Sequence, residues 1–178
     1  MNRFYFAYGS NMNPERIRER IPQARLVGKA TVRGWRLVER LYADIERAKG
    51  SSVEGVLYLV NETELFRLDA YEGYPRVYSS FGVDAWLDEK HRVYAVTYAM
   101  TEETKREREG QEYPRGYRLI CSAGAHFHGL KNPFRRKDDP PFGFQSGGEW
   151  LTMPRKAKAK RDAWWPPIPS LGGDAARE

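Results

Sequence analysis

Cysteine is nearly missing from this chain: Cys121 is the only one in 178 residues. That excludes an internal disulfide and a cysteine-rich zinc site. It suits a reducing compartment, so a cytoplasmic location is the expectation. Histidine is almost as scarce, at three. No apolar run is long enough to span a bilayer, and Met1–Asn11 lacks the plan of a signal peptide, so no membrane is expected. There is no internal repeat. Gly9-Ser10-Asn11 lacks the second glycine of a nucleophile elbow, so Ser10 is read as a ligand contact through its N–H or hydroxyl rather than as a nucleophile.

What is present is an aromatic, basic chain. Hydrophobic residues make up 40% and aromatics 13%, with eleven Tyr and five Trp, enough for a core or pocket with polar handles. The net charge of +6 is uneven: residues 131–178 carry 10 Lys+Arg against 6 Asp+Glu, and seven of the eleven prolines. This shift places a boundary after residue 130. It separates a domain of residues 1–130 from a Pro-rich, basic C-terminal extension of residues 131–178.

Phe4-Tyr5-Phe6-Ala7-Tyr8-Gly9-Ser10-Asn11-Met12 organises the domain. An apolar strand over residues 3–8 runs into a polar loop at Gly9, where glycine permits a sharp bend. Asn13-Pro14 then reads as a cap and first position of a short helix over residues 14–20, ending before Pro22. A strand–loop–helix corner aims backbone N–H groups at one point, where a carboxylate or oxyanion is held. The same sequence also fits an ordinary strand ending in an Asx turn.

Further strands are expected within residues 27–39, 53–60, 77–86 and 92–100, with Gly55 a bulge or close-approach site. Asp44–Ser52 reads as a short edge segment followed by a loop. Residues 101–112 read as a charged, solvated segment. Asn61 and Glu64 have capping-box spacing, opening a helix that runs to about Tyr71 and stops before Gly73. Its Leu65, Leu68 and Glu72 share one face. A carboxylate that closes an apolar stripe at a helix C-terminus is opposed by burial and by the helix dipole, so Glu72 is a candidate acid/base with a raised pKa. Its alternative is a salt bridge to Arg67 or Arg76. A last helix is expected from Pro114 to about His128, with Tyr117, Ile120, Gly124 and Phe127 on one face.

Other chemistries fit less well. Cys121 with His126 or His128 as base would put nucleophile and base on one helix, with His128 about two turns away, so Cys121 reads as structural. His126 and His128 point to different sides of a helix and lack a third ligand, so no metal is expected. The basic run Arg155–Arg161 has no accompanying nucleic-acid reading module, and Trp164–Pro169 reads as an extended aromatic segment.

Two motifs together carry a resemblance. Phe6-Ala7-Tyr8-Gly9-Ser10-Asn11-Met12 resembles the Tyr-Gly-Ser-Asn loop of the gamma-glutamylcyclotransferase-like family. Leu68-Asp69-Ala70-Tyr71-Glu72-Gly73 resembles its second motif, where the glutamate is the acid/base. Tyr117-Arg118-Leu119-Ile120-Cys121 is similar to its late helix, and the resemblance covers residues 3 to about 130. It implies an α+β fold, a small mixed barrel-like β-sheet with surrounding helices, to which the irregular C-terminal tail is appended. It implies cofactor-independent release of 5-oxoproline from a γ-glutamyl amine or peptide. By position, Glu72 would be the general base and acid. Tyr8, Gly9, Ser10 and Asn11 would form the binding loop, and Tyr78, Tyr98 and Tyr117 would be pocket aromatics. The partner expected is a small γ-glutamyl compound, and nucleic acid is not expected. The alternative is a non-catalytic ligand- or partner-binding module of the same fold.

Overall fold

The computed structural model describes residues 1–139. Its strands are β1 (Asn2–Ala7), β2 (Arg25–Arg40), β3 (Tyr42–Asn61), β4 (Tyr78–Trp86) and β5 (Arg92–Met100). Its α-helices are α1 (Pro14–Arg20), α2 (Glu62–Glu72), α3 (Glu102–Arg108) and α4 (Arg115–Phe127). The strands close a barrel in the order β1-β3-β2-β4-β5. The apolar run of β1 lies between β3, antiparallel, and β5, parallel, so the sheet is mixed. Phe6, Ile45, Val56 and Leu57 are fully buried in the core, each large side chain contributing roughly 1.5–3 kcal/mol by leaving water. Gly55 sits where β1 presses closest, since a Cβ there would fall 2.3 Å from the Ala7 carbonyl oxygen.

The caps read from the sequence are present. The Asn13 side chain accepts from the N–H groups of Glu15 and Arg16, with Pro14 beginning α1. Asn61 and Glu64 form a reciprocal capping box at the start of α2. Gly73 ends α2 in the left-handed region, at φ 65°, directly after Glu72.

Four expectations need correction. Asp44–Ser52 is not an edge segment and loop but the middle of β3, paired along β2 through a hairpin that turns at Leu41. Cross-strand partners override its polar composition: Arg36 lies opposite Glu46 and donates to it at 2.8 Å, and Arg47 stacks 4.2 Å over Trp35. Within residues 101–112, α3 forms because Thr101 caps it and its charges run acidic to basic along the helix dipole. The buried face of α4 is Arg118, Cys121, Ser122, Gly124 and Ala125, while Ile120 and Phe127 are only half-buried. Finally, β1 stops at Ala7, and a 3-10 turn, Ser10–Met12, stands between it and α1.

Residues 131–139 pack on this unit. Phe134 is in the core, and Asp139 pairs with Arg118, whose Nη2 donates to its Oδ1 at 2.6 Å. The Arg155–Arg161 run and Trp164–Pro169 lie outside the described residues. Among those described, no helix is long and apolar enough to cross a membrane.

Candidate active site

The 3-10 turn is where the local sequence and the packing meet. Met12 N–H bonds to the Gly9 carbonyl and Asn13 N–H to the Ser10 carbonyl, at 3.0 and 3.1 Å. Those are the turn's own bonds, so the N–H groups of Ser10 and Asn11, at its start, are not taken up by it. Helix α4 lies across the turn. A Cβ at Gly124 would fall 2.7 Å from the Asn13 nitrogen and from the Met12 carbonyl carbon, so only glycine allows this approach. One turn on, the His128 Nε2 bonds to the Met12 carbonyl oxygen at 3.0 Å. Gly9 has φ −118°, so its backbone is not left-handed. What position 9 needs is space, because a Cβ there would sit 3.1 Å from both the Ala43 methyl and the Tyr117 hydroxyl.

The turn, β1, α2, β3, β4, β5 and α4 line a small pocket that opens to solvent. Every site residue expected from the sequence lines it: Tyr8, Gly9, Ser10, Asn11, Glu72, Tyr78, Tyr98 and Tyr117. Tyr5, Ala43 and Thr97 join them and were not anticipated. For Tyr5 the period-two alternation of β1 was the available signal.

Glu72 stands in the wall of this cavity, its side chain 17% exposed. Neither Arg67 nor Arg76 pairs with it. The Asn11 Nδ2 donates to the Glu72 Oε1 at 3.1 Å, and Arg20 Nη1 lies 3.8 Å from the same oxygen. Asn11 is the centre of a closed network. Its Nδ2 also donates to the Tyr5 hydroxyl at 2.8 Å, its Oδ1 accepts from Arg20 at 2.8 Å, and its carbonyl accepts from Tyr58 at 3.3 Å. The Asn11 side chain therefore has no donor left for a ligand and instead fixes the carboxylate. Arg20, nine residues away on α1, gave no sequence signal because only the fold brings it to Asn11.

Burial pushes the Glu72 pKa above an ordinary glutamate's. Arg20 first, then the Asn11 hydrogen bond and Arg16, pull against that rise without cancelling it. The tyrosines around it are anchored. Tyr8 donates to the Tyr98 carbonyl at 2.7 Å, Tyr78 to the Ala43 carbonyl at 3.0 Å, and Tyr98 to the Asp69 carboxylate at 2.7 Å. Tyr117 accepts from the Ala43 N–H at 3.0 Å. Burial raises all of these phenols well above their ordinary range, so they stay neutral.

The other candidates are structural. Cys121 is fully buried and its thiol is pushed up to about 12, so a thiolate nucleophile is disfavoured. Asp44 is buried but engaged by Arg40 and by the Met100 N–H at 2.8 Å each. Among the described residues no cluster of His, Cys, Asp and Glu could hold a metal ion.

Known proteins share this architecture. Residues 5–118 match the family model described as gamma-glutamyl cyclotransferase, AIG2-like. No curated protein matches the chain. A solved structure named gamma-glutamyl cyclotransferase is 22% identical, spans 90% of this chain and 99% of its own, and superposes with a TM-score of 0.63. An uncharacterized protein from Homo sapiens, loc79017, is 24% identical over 84% of this chain and 95% of its own, with a TM-score of 0.64. YkqA from Bacillus subtilis is 24% identical over 75% of this chain and 51% of its own, with a TM-score of 0.59. At these identities the likeness is one of fold.

Proposed function

Given that the chain belongs to the gamma-glutamyl cyclotransferase, AIG2-like family, we propose that it releases 5-oxoproline from a γ-glutamyl amine or peptide, with Glu72 as the single proton-transfer group. The observation that carries this reading is a half-buried carboxylate of raised pKa, held by Asn11 in the wall of a pocket beside a turn whose first two N–H groups, those of Ser10 and Asn11, make no hydrogen bond among the described residues.

The reaction is internal to the substrate. Its α-ammonium gives a proton to Glu72. The freed amine nitrogen attacks the γ-carbonyl carbon and closes a five-membered lactam. The oxyanion that develops is held by the N–H groups of Ser10 and Asn11, each such donor typically worth about 3 kcal/mol. The bond to the departing amine then breaks as Glu72 returns the proton to that nitrogen, and the second proton lost by the ring nitrogen passes through the same carboxylate to the released amine, which departs as an ammonium while the ring keeps a neutral lactam N–H. Proton transfer by one positioned group typically contributes a factor of about 10² to 10⁴. Tyr8, Tyr78, Tyr98 and Tyr117, with hydroxyls tied to the protein, offer ring faces that fold the flexible glutamyl chain toward ring closure. They do not compete as bases, because they stay neutral.

The test is a panel of γ-glutamyl amines, γ-glutamyl amino acids and glutathione, with α-linked glutamyl peptides as controls, assayed for 5-oxoproline. Release is expected from γ-linked compounds alone. Absence of 5-oxoproline across the whole panel would contradict the reading and leave a ligand-binding module.

A further inference from the structure

A second, outer pocket, larger than the first and also open to solvent, shares Ser10, Glu72, Tyr78 and Tyr117 with it. Glu72 thus stands between an inner, tyrosine-lined chamber and an outer vestibule. The vestibule's charge is one-sided. Apart from Glu72 its charged lining residues are Arg16, Arg20 and Arg108, brought together from α1 and α3. Arg20 is committed to Asn11 and Glu72. Arg108 is not committed. Its Nη1 is buried without a hydrogen-bond partner among the described residues, and its guanidinium lies 5.4 Å from the centre of the Tyr42 ring. Arg16 contributes charge to the same space and acts on Glu72 at longer range. A buried guanidinium N–H without an acceptor is rare in folded proteins and marks where an acceptor belongs.

We infer that the outer vestibule holds the departing amine and selects one bearing a carboxylate, so that the substrate is a γ-glutamyl amino acid or peptide rather than a γ-glutamyl derivative of a neutral or cationic amine. This rests on the reading of Glu72 given above. If the glutamyl group fills the inner chamber and Glu72 faces the scissile amide, the leaving nitrogen lies on the outer side. A carboxylate one carbon from that nitrogen enters the field of the arginines, and the planar guanidinium of Arg108 supplies the donors it accepts from. A cationic group in the same place would meet like charge.

The pair that isolates this feature is γ-glutamylalanine and γ-glutamylethylamide, which differ only by the carboxylate. Their kcat/KM values for 5-oxoproline release are compared in the parent, Arg108→Met and Arg108→Lys. The expected result is a preference for the acid of about ten-fold or more in the parent, the scale of a charge-assisted hydrogen bond. The ratio falls toward one in Arg108→Met and is largely kept in Arg108→Lys. Equal turnover of the two compounds by the parent, or a ratio unmoved by Arg108→Met, would overturn the inference while leaving the cyclotransferase reading intact. If neither compound yields 5-oxoproline, that reading fails, and titration calorimetry of the same two compounds decides the vestibule separately. Tighter binding of the acid by a similar factor sustains it, and equal or absent binding rejects it.

Discussion

Glu72 is ionised only against resistance from its surroundings, and two consequences are measurable. The first concerns rate. The acidic limb of kcat/KM reports the free enzyme's base, so it should lie above the 4.5 of an ordinary glutamate. Replacing Arg20 by Gln removes the largest influence that lowers this pKa, and the limb should move to higher pH. A purely structural role for Arg20 would reduce activity without moving the limb. The second concerns stability. The folded state binds this proton more tightly than the unfolded chain, so Glu72 favours folding fully below pH 4.5 and loses that contribution as pH rises through its raised value. Thermal melts of Glu72→Gln should therefore gain on the parent as pH goes from acid to neutral. An unchanged difference would deny the raised pKa. Glu72 and the Tyr8–Asn11 loop were legible because local patterns mark them, a helical face and a strand-to-turn corner. Arg20 and the lock that Asn11 places on Glu72 were not, since they arise between side chains that only the closed barrel brings together.

At the scale of elements, α4 decides where the Ser10–Met12 turn sits. Gly124→Ala puts a methyl against backbone atoms of Asn13 and Met12 that cannot swing aside. Overpacking of this kind typically costs about 1–3 kcal/mol, and a lower denaturation midpoint together with weaker ligand binding is the expected outcome. Ala125, its neighbour on α4, is also fully buried, so stability alone is not diagnostic. The readout that matters is that Gly124→Ala weakens binding of a γ-glutamyl compound when the protein is fully folded. Caps and strand cores were readable because they rest on contacts within a few residues. The length of β3 was not, because Arg36, Glu46, Trp35 and Arg47 stabilise it across the hairpin rather than along it. The buried face of α4 lies one step round from the one its apolar residues suggest, because Arg118, a surface residue by type, is buried against Asp139.

For the whole molecule, the composition change near residue 131 is real in sequence, yet residues 131–139 contribute to the packed unit. The side chains of Arg118 and Asp139 are 5% and 2% exposed. Removing one partner of a buried pair leaves the other uncompensated, at a typical cost of roughly 3–5 kcal/mol. Asp139→Asn should lower the unfolding free energy by an amount of that order, and truncation after residue 130 should lower it further by also removing Phe134 from the core. Urea denaturation of both forms measures this, and a truncated chain as stable as the parent would place the boundary at 130 after all. The sequence marked this shift by charge and proline content, which do not register a single ion pair and one aromatic.

If Glu72 moves the protons while the rest of the pocket binds, one paired measurement separates the two roles. Parent and Glu72→Gln are assayed side by side for 5-oxoproline release from a γ-glutamyl compound that the parent turns over, and for binding of the same compound by calorimetry. Glutamine keeps an oxygen that can accept from Asn11 but neither takes up nor gives up a proton in this pH range. Similar affinity and a fall in turnover of about 10² to 10⁴ are the expected result. Turnover close to the parent's at matched affinity would remove Glu72 from the chemistry.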